Sequence, residues 1–387
     1  MNNFGSASQP YPVAPATTFG GRSALRWAAV ALGILTALLV GLLTLLLIGI
    51  GTGPLPFIIG LLLATLPVPV YVSLVLWIDR YESEPLWSLA TSFFWGALVA
   101  VFIAFVLNTA GSIIVGIATM SDGAAEFSGA VVFAPTVEES AKALVLFGLF
   151  FWKRDEFDGV LDGIVYASMV GLGFAMTENV QYYGGAALEG GAAESIRLFM
   201  LRGLIAPFSH PLFTSMTGIG LGLASQTKNN FLKFFAPILG LGLAMLLHCL
   251  WNLSATISGV LFILAYIFIM VPVLVAVLVA VFFALRREGR IVREHLYTDF
   301  QQGVFTPQEY ERLCSIRGRM GASWGALTSG GLNRWRSRMR YNSTASELAF
   351  HRSRVARGLA ANDLAAVTRE DTYRRTLHEL RGQLGSH

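Results

Sequence analysis

The sequence predicts an all-α, polytopic integral membrane protein with about eight transmembrane helices and a small helical cytoplasmic C-terminal tail. Three observations predict it. Of 387 residues, 54% are hydrophobic and only 13% are charged, about half the charged share of an ordinary soluble domain. Eight apolar segments are each long enough to cross a bilayer, which takes roughly 20 residues. Lys and Arg cluster in alternate connections between those segments, the bias that orients membrane helices.

The first 24 residues, rich in Pro, Ala, Ser and Gly, read as a disordered cytoplasmic lead-in. The apolar run after Arg26 is too long for the core of a cleavable signal. Residues 25–285 form the membrane domain, with segments near 27–50, 55–78, 86–118, 128–152, 159–183, 197–224, 232–253 and 257–285. Backbone groups in lipid must bond within their own segment, so each is read as a helix. With the N-terminus in the cytoplasm, the inner side receives Arg22, Arg26, Arg80, Lys153, Arg154, Lys228, Lys233 and the arginines from Arg286 onward. The outer loops "GTGP", "ATMSDGAAEF", "GGAALEGGAAES" and "SATIS" hold no Lys or Arg. Arg197 and Arg202, at the start of the sixth segment, are the basic residues nearest the outer face. Eight spans return the C-terminus to the cytoplasm. Gly159 with Gly163, Gly218 with Gly222 and Gly240 with Ala244 have the spacing that lets helices pack closely.

From Arg286 to the end there are eighteen arginines, no lysine and ten acidic residues. Residues 286–387 read as an Arg-rich helical module whose basic face meets anionic lipid or solvent, not nucleic acid. Thr306-Pro307 followed by Glu309 is a helix start. Cys249 and Cys314 are too few for a disulfide framework or a Cys-rich metal site.

Ionisable residues inside apolar segments are rare and mark function by default. Glu138, Glu139, Glu178, His210 and His248 stand out. In the topology above they fall roughly 8 to 20 Å from the outer boundary at 1.5 Å rise per residue, on four separate helices. Each has a plainer reading taken alone: a core histidine satisfied by a neighbour, or a glutamate in a structural ion pair. Lys142 is four residues from Glu138 and three from Glu139, so it can pair with either. Adjacent residues point about 100° apart on a helix, so one glutamate is left over. A carboxylate facing imidazole has the make-up of a water-activating site. Two His with Glu have equally the make-up of a zinc site with an open position. Asn179 follows Glu178, and Asn252 lies four residues after His248, where an amide suits a developing oxyanion. Asp158 and Asp162, near the cytoplasmic end of their helix, read as structural. There is no HExxH and no phosphate-binding loop. A proton-coupled transporter or a non-catalytic scaffold would also bury such groups, though no inverted repeat supports a transporter.

"EESAK" (Glu138, Glu139, Lys142), Phe174 with Glu178-Asn179 in "FAMTEN", His210 in "SHPLF", and His248 with Asn252 in "HCLWN" together resemble the motifs of the PrsW family of bacterial intramembrane proteases. "DRYESEP" at 79–85 is similar to that family's segment before the third helix. The resemblance covers roughly residues 70–255 and keeps the family's motif order. It implies a membrane protease related to the CAAX prenyl proteases, classed as a metalloprotease, with glutamate-type members in the wider group. It implies a membrane-anchored, anti-sigma-factor-like protein substrate cut near the outer face. On that reading Glu138 or Glu139 is the general base. Glu178, His210 and His248 are ligands to Zn2+ or orient water, Asn252 completes the ligand set or stabilises the oxyanion, and Lys142 and Asn179 support them.

Overall fold

A computed structural model of the chain describes residues 21–153, 157–358 and 364–385. Most of the lead-in, and Arg154 of the expected inner positive cluster, lie outside the described residues. Every regular element among the described residues is a helix, with no strand among them. In order these are α1 (Gly21–Thr52), α2 (Pro54–Thr65), α3 (Val68–Ile78), α4 (Leu86–Phe94), α5 (Val101–Thr119), α6 (Asp122–Ser128), α7 (Ala134–Trp152), α8 (Val160–Phe199), α9 (Ser209–Gln226), α10 (Asn230–Ile257), α11 (Gly259–Ala265), α12 (Val271–Gln301), α13 (Pro307–Leu313), α14 (Ile316–Ala356) and α15 (Leu364–Gly385). Short π-helical turns join α4 to α5, α6 to α7, α8 to α9 and α11 to α12.

By length and composition, six helical stretches among these residues can cross a membrane. This is a multi-pass membrane protein. The sequence divides the apolar body into eight segments, and the difference has two sources. α7 carries three ionisable residues within its apolar length. Residues 160–226 form one long helical stretch that contains two of the predicted segments. The connection expected as an open loop near 184–195 is helical instead, and the chain breaks only at Gly191, with φ of 72°. Four Ala and two Glu lie in that stretch beside its four Gly, and Ala and Glu are strong helix formers.

α8 is the axis of the membrane domain. Every residue from Leu161 to Ala175 is buried, as expected of a helix apolar on all sides. The helix begins where Asp162 Oδ2 accepts the Asp158 backbone N–H at 2.9 Å. α2, α4 and α9 pack around it, and α10 packs on α9. The contact with α9 is close because Gly163 faces Gly218: a Cβ on Gly218 would lie 2.0 Å from Gly163 O. α1 stands at the periphery with most of its side chains exposed.

Beyond the apolar segment α12 runs on to Gln301 without a break. Thr306 caps α13: its hydroxyl accepts the Glu309 N–H at 3.2 Å, and Glu309 Oε2 accepts the Thr306 N–H at 2.9 Å. α12, α14 and α15 share a core that includes Val292, Leu296, Ala345, Leu348, Leu377 and Leu380. Buried Asp299 within that core is paired by Arg352 and, at 3.0 Å, by Arg374. This module grips the membrane domain at the 79–85 connection. Arg354 reaches Glu82 at 2.8 Å and Asp158 at 3.3 Å, and the Arg319 guanidinium lies 4.4 Å over the Tyr81 ring. Burial, with Asp158 beside it, pushes the Glu82 carboxyl well above its usual range, while Arg354 pulls it back.

Candidate active site

α7 delivers Glu138, Glu139 and Lys142 on its buried face. Trp95 Nε1 donates to Ala141 O at 2.9 Å and fixes that helix against the α4–α5 turn. α8 supplies Phe174, Glu178 and Asn179; α9 supplies His210 and Thr214; α10 supplies His248. The first turn of α9 approaches α8 at Gly171, where a Cβ would fall 2.8 Å from the His210 carbonyl carbon. That close passage seats the His210 imidazole beside the α7 charges.

Lys142, fully buried, is the hub. Its Nζ donates to Glu139 Oε1 at 2.7 Å and to His210 Nδ1 at 3.0 Å, lies 3.8 Å from Glu138 Oε2, and sits 3.8 Å over the Phe174 ring. Glu139 is saturated. Its Oε2 accepts from Thr214 Oγ1 at 2.9 Å, and its Oε1 also meets His248 Nδ1 at 3.1 Å. A carboxylate acceptor at Nδ1 assigns the proton there, leaving the Nε2 lone pair of His248 free. That nitrogen faces Glu138 Oε2 at 3.8 Å. Glu138 Oε2 is buried and has no hydrogen-bond partner among the described residues. The 100° offset between neighbours thus divides their work: Glu139 is held and Glu138 is left open.

The second half of the site is built on α8. His210 Nε2 donates to Glu178 Oε2 at 2.9 Å, the tautomer that follows once Lys142 donates to Nδ1. Arg202 bridges the next two residues, with Nη2 on Glu178 Oε2 at 2.6 Å and Nε on Asn179 Oδ1 at 2.7 Å. Its guanidinium lies 3.9 Å over the Tyr182 ring. Glu138 and Glu178 both border a cavity of about 910 Å3 between α1, α5, α7 and α8.

The structure therefore brings together Glu138, Glu139, Lys142, Glu178, Asn179, His210 and His248, seven of the eight residues singled out in the sequence. Asn252 shares a face of α10 with His248, but its amide donates to Ala130 O at 2.8 Å and ties α10 to the turn before α7. Arg202 and Thr214 are the members the sequence reasoning passed over. The available signals were slight: Arg202 is a basic residue near the expected outer face, and Thr214 follows His210 by one helical turn.

Among the described residues, Glu138, His210 and His248 form a group able to hold a metal, with ligand atoms all within 4.8 Å of one another. Glu178, expected among the ligands, stands behind His210 in an ion pair with Arg202. Two imidazoles and a carboxylate are a usual catalytic zinc set, and an orphaned carboxylate oxygen facing a free imidazole nitrogen fits such an ion. The Glu139 contact to His248 is the carboxylate–histidine support such ligands use. To join such a set, His210 would have to exchange one of its two present hydrogen bonds.

Buried ionisable groups from four helices, meeting in one cluster inside a multi-pass helical membrane protein, define the class: an intramembrane site equipped for acid–base or metal-assisted chemistry. A model of the family described as PrsW family intramembrane metalloprotease matches residues 84–277, and the chain belongs to that family. "Protease PrsW" of Geobacillus kaustophilus is 34% identical over 149 residues, 38% of this chain and 58% of that protein's length. The protein of the same name from Oceanobacillus iheyensis is 30% identical over 181 residues, 44% of this chain and 71% of its own. That from Bacillus subtilis is 30% identical over 149 residues, 38% and 60%. No solved structure matches the chain.

Proposed function

We propose that the chain is an intramembrane endopeptidase that hydrolyses a peptide bond of a membrane-anchored protein near the outer membrane face. The observation that carries the reading is Glu138 Oε2: buried, without a hydrogen-bond partner among the described residues, 3.8 Å from a free imidazole nitrogen, on a residue that lines a large cavity. The family relatives named "Protease PrsW" support peptide hydrolysis. The motif resemblance supports an anti-sigma-factor-like substrate.

In this reading Glu138 is the acting carboxylate. Glu139, fixed by Lys142 and Thr214, aims His248. Glu178, fixed by Arg202, aims His210. Lys142 holds the local charge in balance, so that Glu138 keeps a lone pair for chemistry. Asn252 positions α10 through Ala130, and Asn179 positions Arg202. Zinc held by Glu138, His210 and His248 would polarise the scissile carbonyl and make water a better nucleophile. As a base, Glu138 accepts the proton of the attacking water and returns it to the leaving amine.

We further propose eight spans, with both termini in the cytoplasm. Residues 25–285 are then the protease domain, and 286–387 a cytoplasmic module clamped to it by Arg354 and Arg319. Outward placement of the site follows from that topology.

Metal content of the purified protein, read beside cleavage of a tethered substrate with and without a chelator, tests the zinc assignment. Stoichiometric zinc that leaves together with activity supports it; full activity in metal-free protein removes it. Glu138→Gln then sorts the roles. Lost zinc makes Glu138 a ligand, and retained zinc with lost cleavage makes it the base. Full cleavage by this variant would overturn the proposal.

A further inference from the structure

The cavity beside Glu138 holds a second acceptor with nothing to accept. Asn108, midway along α5, has a buried Oδ1 with no hydrogen-bond partner among the described residues. It lines the same cavity as Glu138 and Glu178. The hydroxyl of Thr44, across the cavity on α1, is already committed to Val40 O at 2.9 Å, so it does not face Asn108 as a free donor. A buried amide oxygen left without a donor costs free energy, and such atoms in native proteins call for a ligand or water.

The occupant must bring an N–H or O–H group. The backbone of a transmembrane helix has none to spare in its interior, because each of its amides already bonds within the segment. Free N–H groups exist only where the helix has ended or unwound. Peptide hydrolysis at Glu138 needs such a stretch as well, since a carbonyl inside an intact helix is shielded.

Resting on the protease reading above, we propose that Asn108 is a substrate-binding residue: its Oδ1 accepts a backbone N–H from the unwound stretch of the substrate next to the scissile bond. The cavity then selects protein segments that open their helix at that depth. Asn108 contributes recognition of extended main chain, whatever the side chains, and α1, peripheral and mostly exposed, is the wall past which that chain enters from the bilayer.

The test uses full-length protein in nanodiscs and a fluorescent, membrane-tethered substrate. Cleavage by the wild type tests the protease reading by itself. Substrate affinity is then measured in Glu138→Gln protein with Asn108 intact and with Asn108→Leu, which keeps the branched shape and removes the acceptor. The expected result is a three- to tenfold larger dissociation constant, roughly the worth of one hydrogen bond, with a thermal midpoint no lower than that of the Asn108 protein. A second arm needs no protein variant. Substrates in which single amides near the scissile bond are replaced by esters lose one N–H at a time. One ester position is expected to weaken binding to the Asn108 protein by the same factor and to have no further effect on Asn108→Leu. Wild-type cleavage combined with equal affinity of the two proteins overturns the Asn108 proposal and leaves the protease reading standing. The same holds if ester effects persist undiminished in Asn108→Leu. Absence of wild-type cleavage counts against the protease reading, while the binding arms still decide Asn108.

Discussion

Replacing Lys142 by Met should be among the most damaging single changes in the membrane domain. The ammonium is fully buried and stands 2.7 Å from Glu139, 3.0 Å from His210 and 3.8 Å from Glu138. At the shortest of these distances the attraction is about 6 kcal/mol for an effective dielectric of about 20. Burying the ammonium costs several kcal/mol in the opposite direction. Losing one partner of such a pair strands the other, so Lys142→Met should destabilise by about 3–5 kcal/mol. Neutralising Glu139 in the same protein removes the stranded charge, so Lys142→Met with Glu139→Gln should recover at least about 2 kcal/mol of that loss. Reversible unfolding in mixed micelles, run on all four members of the cycle, measures it. A cost for Lys142→Met below about 1 kcal/mol, or the same cost in both backgrounds, would refute the hub assignment.

Three further outcomes are expected. Gly218→Ala drives a Cβ to 2.0 Å from Gly163 O, a backbone atom, and should cost about 1–3 kcal/mol in the same unfolding assay. Arg202→Lys keeps the charge but cannot bridge Glu178 and Asn179 together; steady-state cleavage should fall at least about tenfold, and further for Arg202→Gln, in line with a support role for a site residue. Glu84, in the connection before α4, is pushed up to about 11, first by burial and then by Asp162. Its folded state keeps the proton while the unfolded chain ionises near 4.5, so its contribution to stability is complete below the unfolded value and is lost as pH rises toward the folded one. The thermal midpoint of the wild type should therefore fall from pH 5 to pH 9 more steeply than that of Glu84→Gln.

The sequence exposed the site because lipid makes charge conspicuous. Glu138, Lys142, Glu178, His210 and His248 interrupt segments that otherwise hold little but apolar side chains, and their common depth follows from counting residues along four helices. The division of labour between Glu138 and Glu139 was not legible. Spacing allows either to pair with Lys142, and only packing against Thr214 and His248 decides for Glu139. Arg202 escaped because a basic residue at a helix start reads as interfacial, whereas the turn before α9 folds it back onto Glu178. Thr214 escaped because hydroxyls are ordinary in membrane helices. Asp158 and Asp162 read as structural, and their contacts are the cap on α8 and the clamp to Arg354. The helical course near 184–195 was hidden by its glycines, which suggest a loop, although the break occurs at Gly191 alone.

The account stands most directly on Glu138 as the group that acts. Turnover of a membrane-tethered substrate should be compared between wild-type and Glu138→Gln protein, reconstituted in the same vesicles at matched folded amounts. A loss on the order of 10²–10⁴-fold is predicted, the usual worth of a positioned acid–base group. Turnover by Glu138→Gln within about tenfold of the wild type would contradict it.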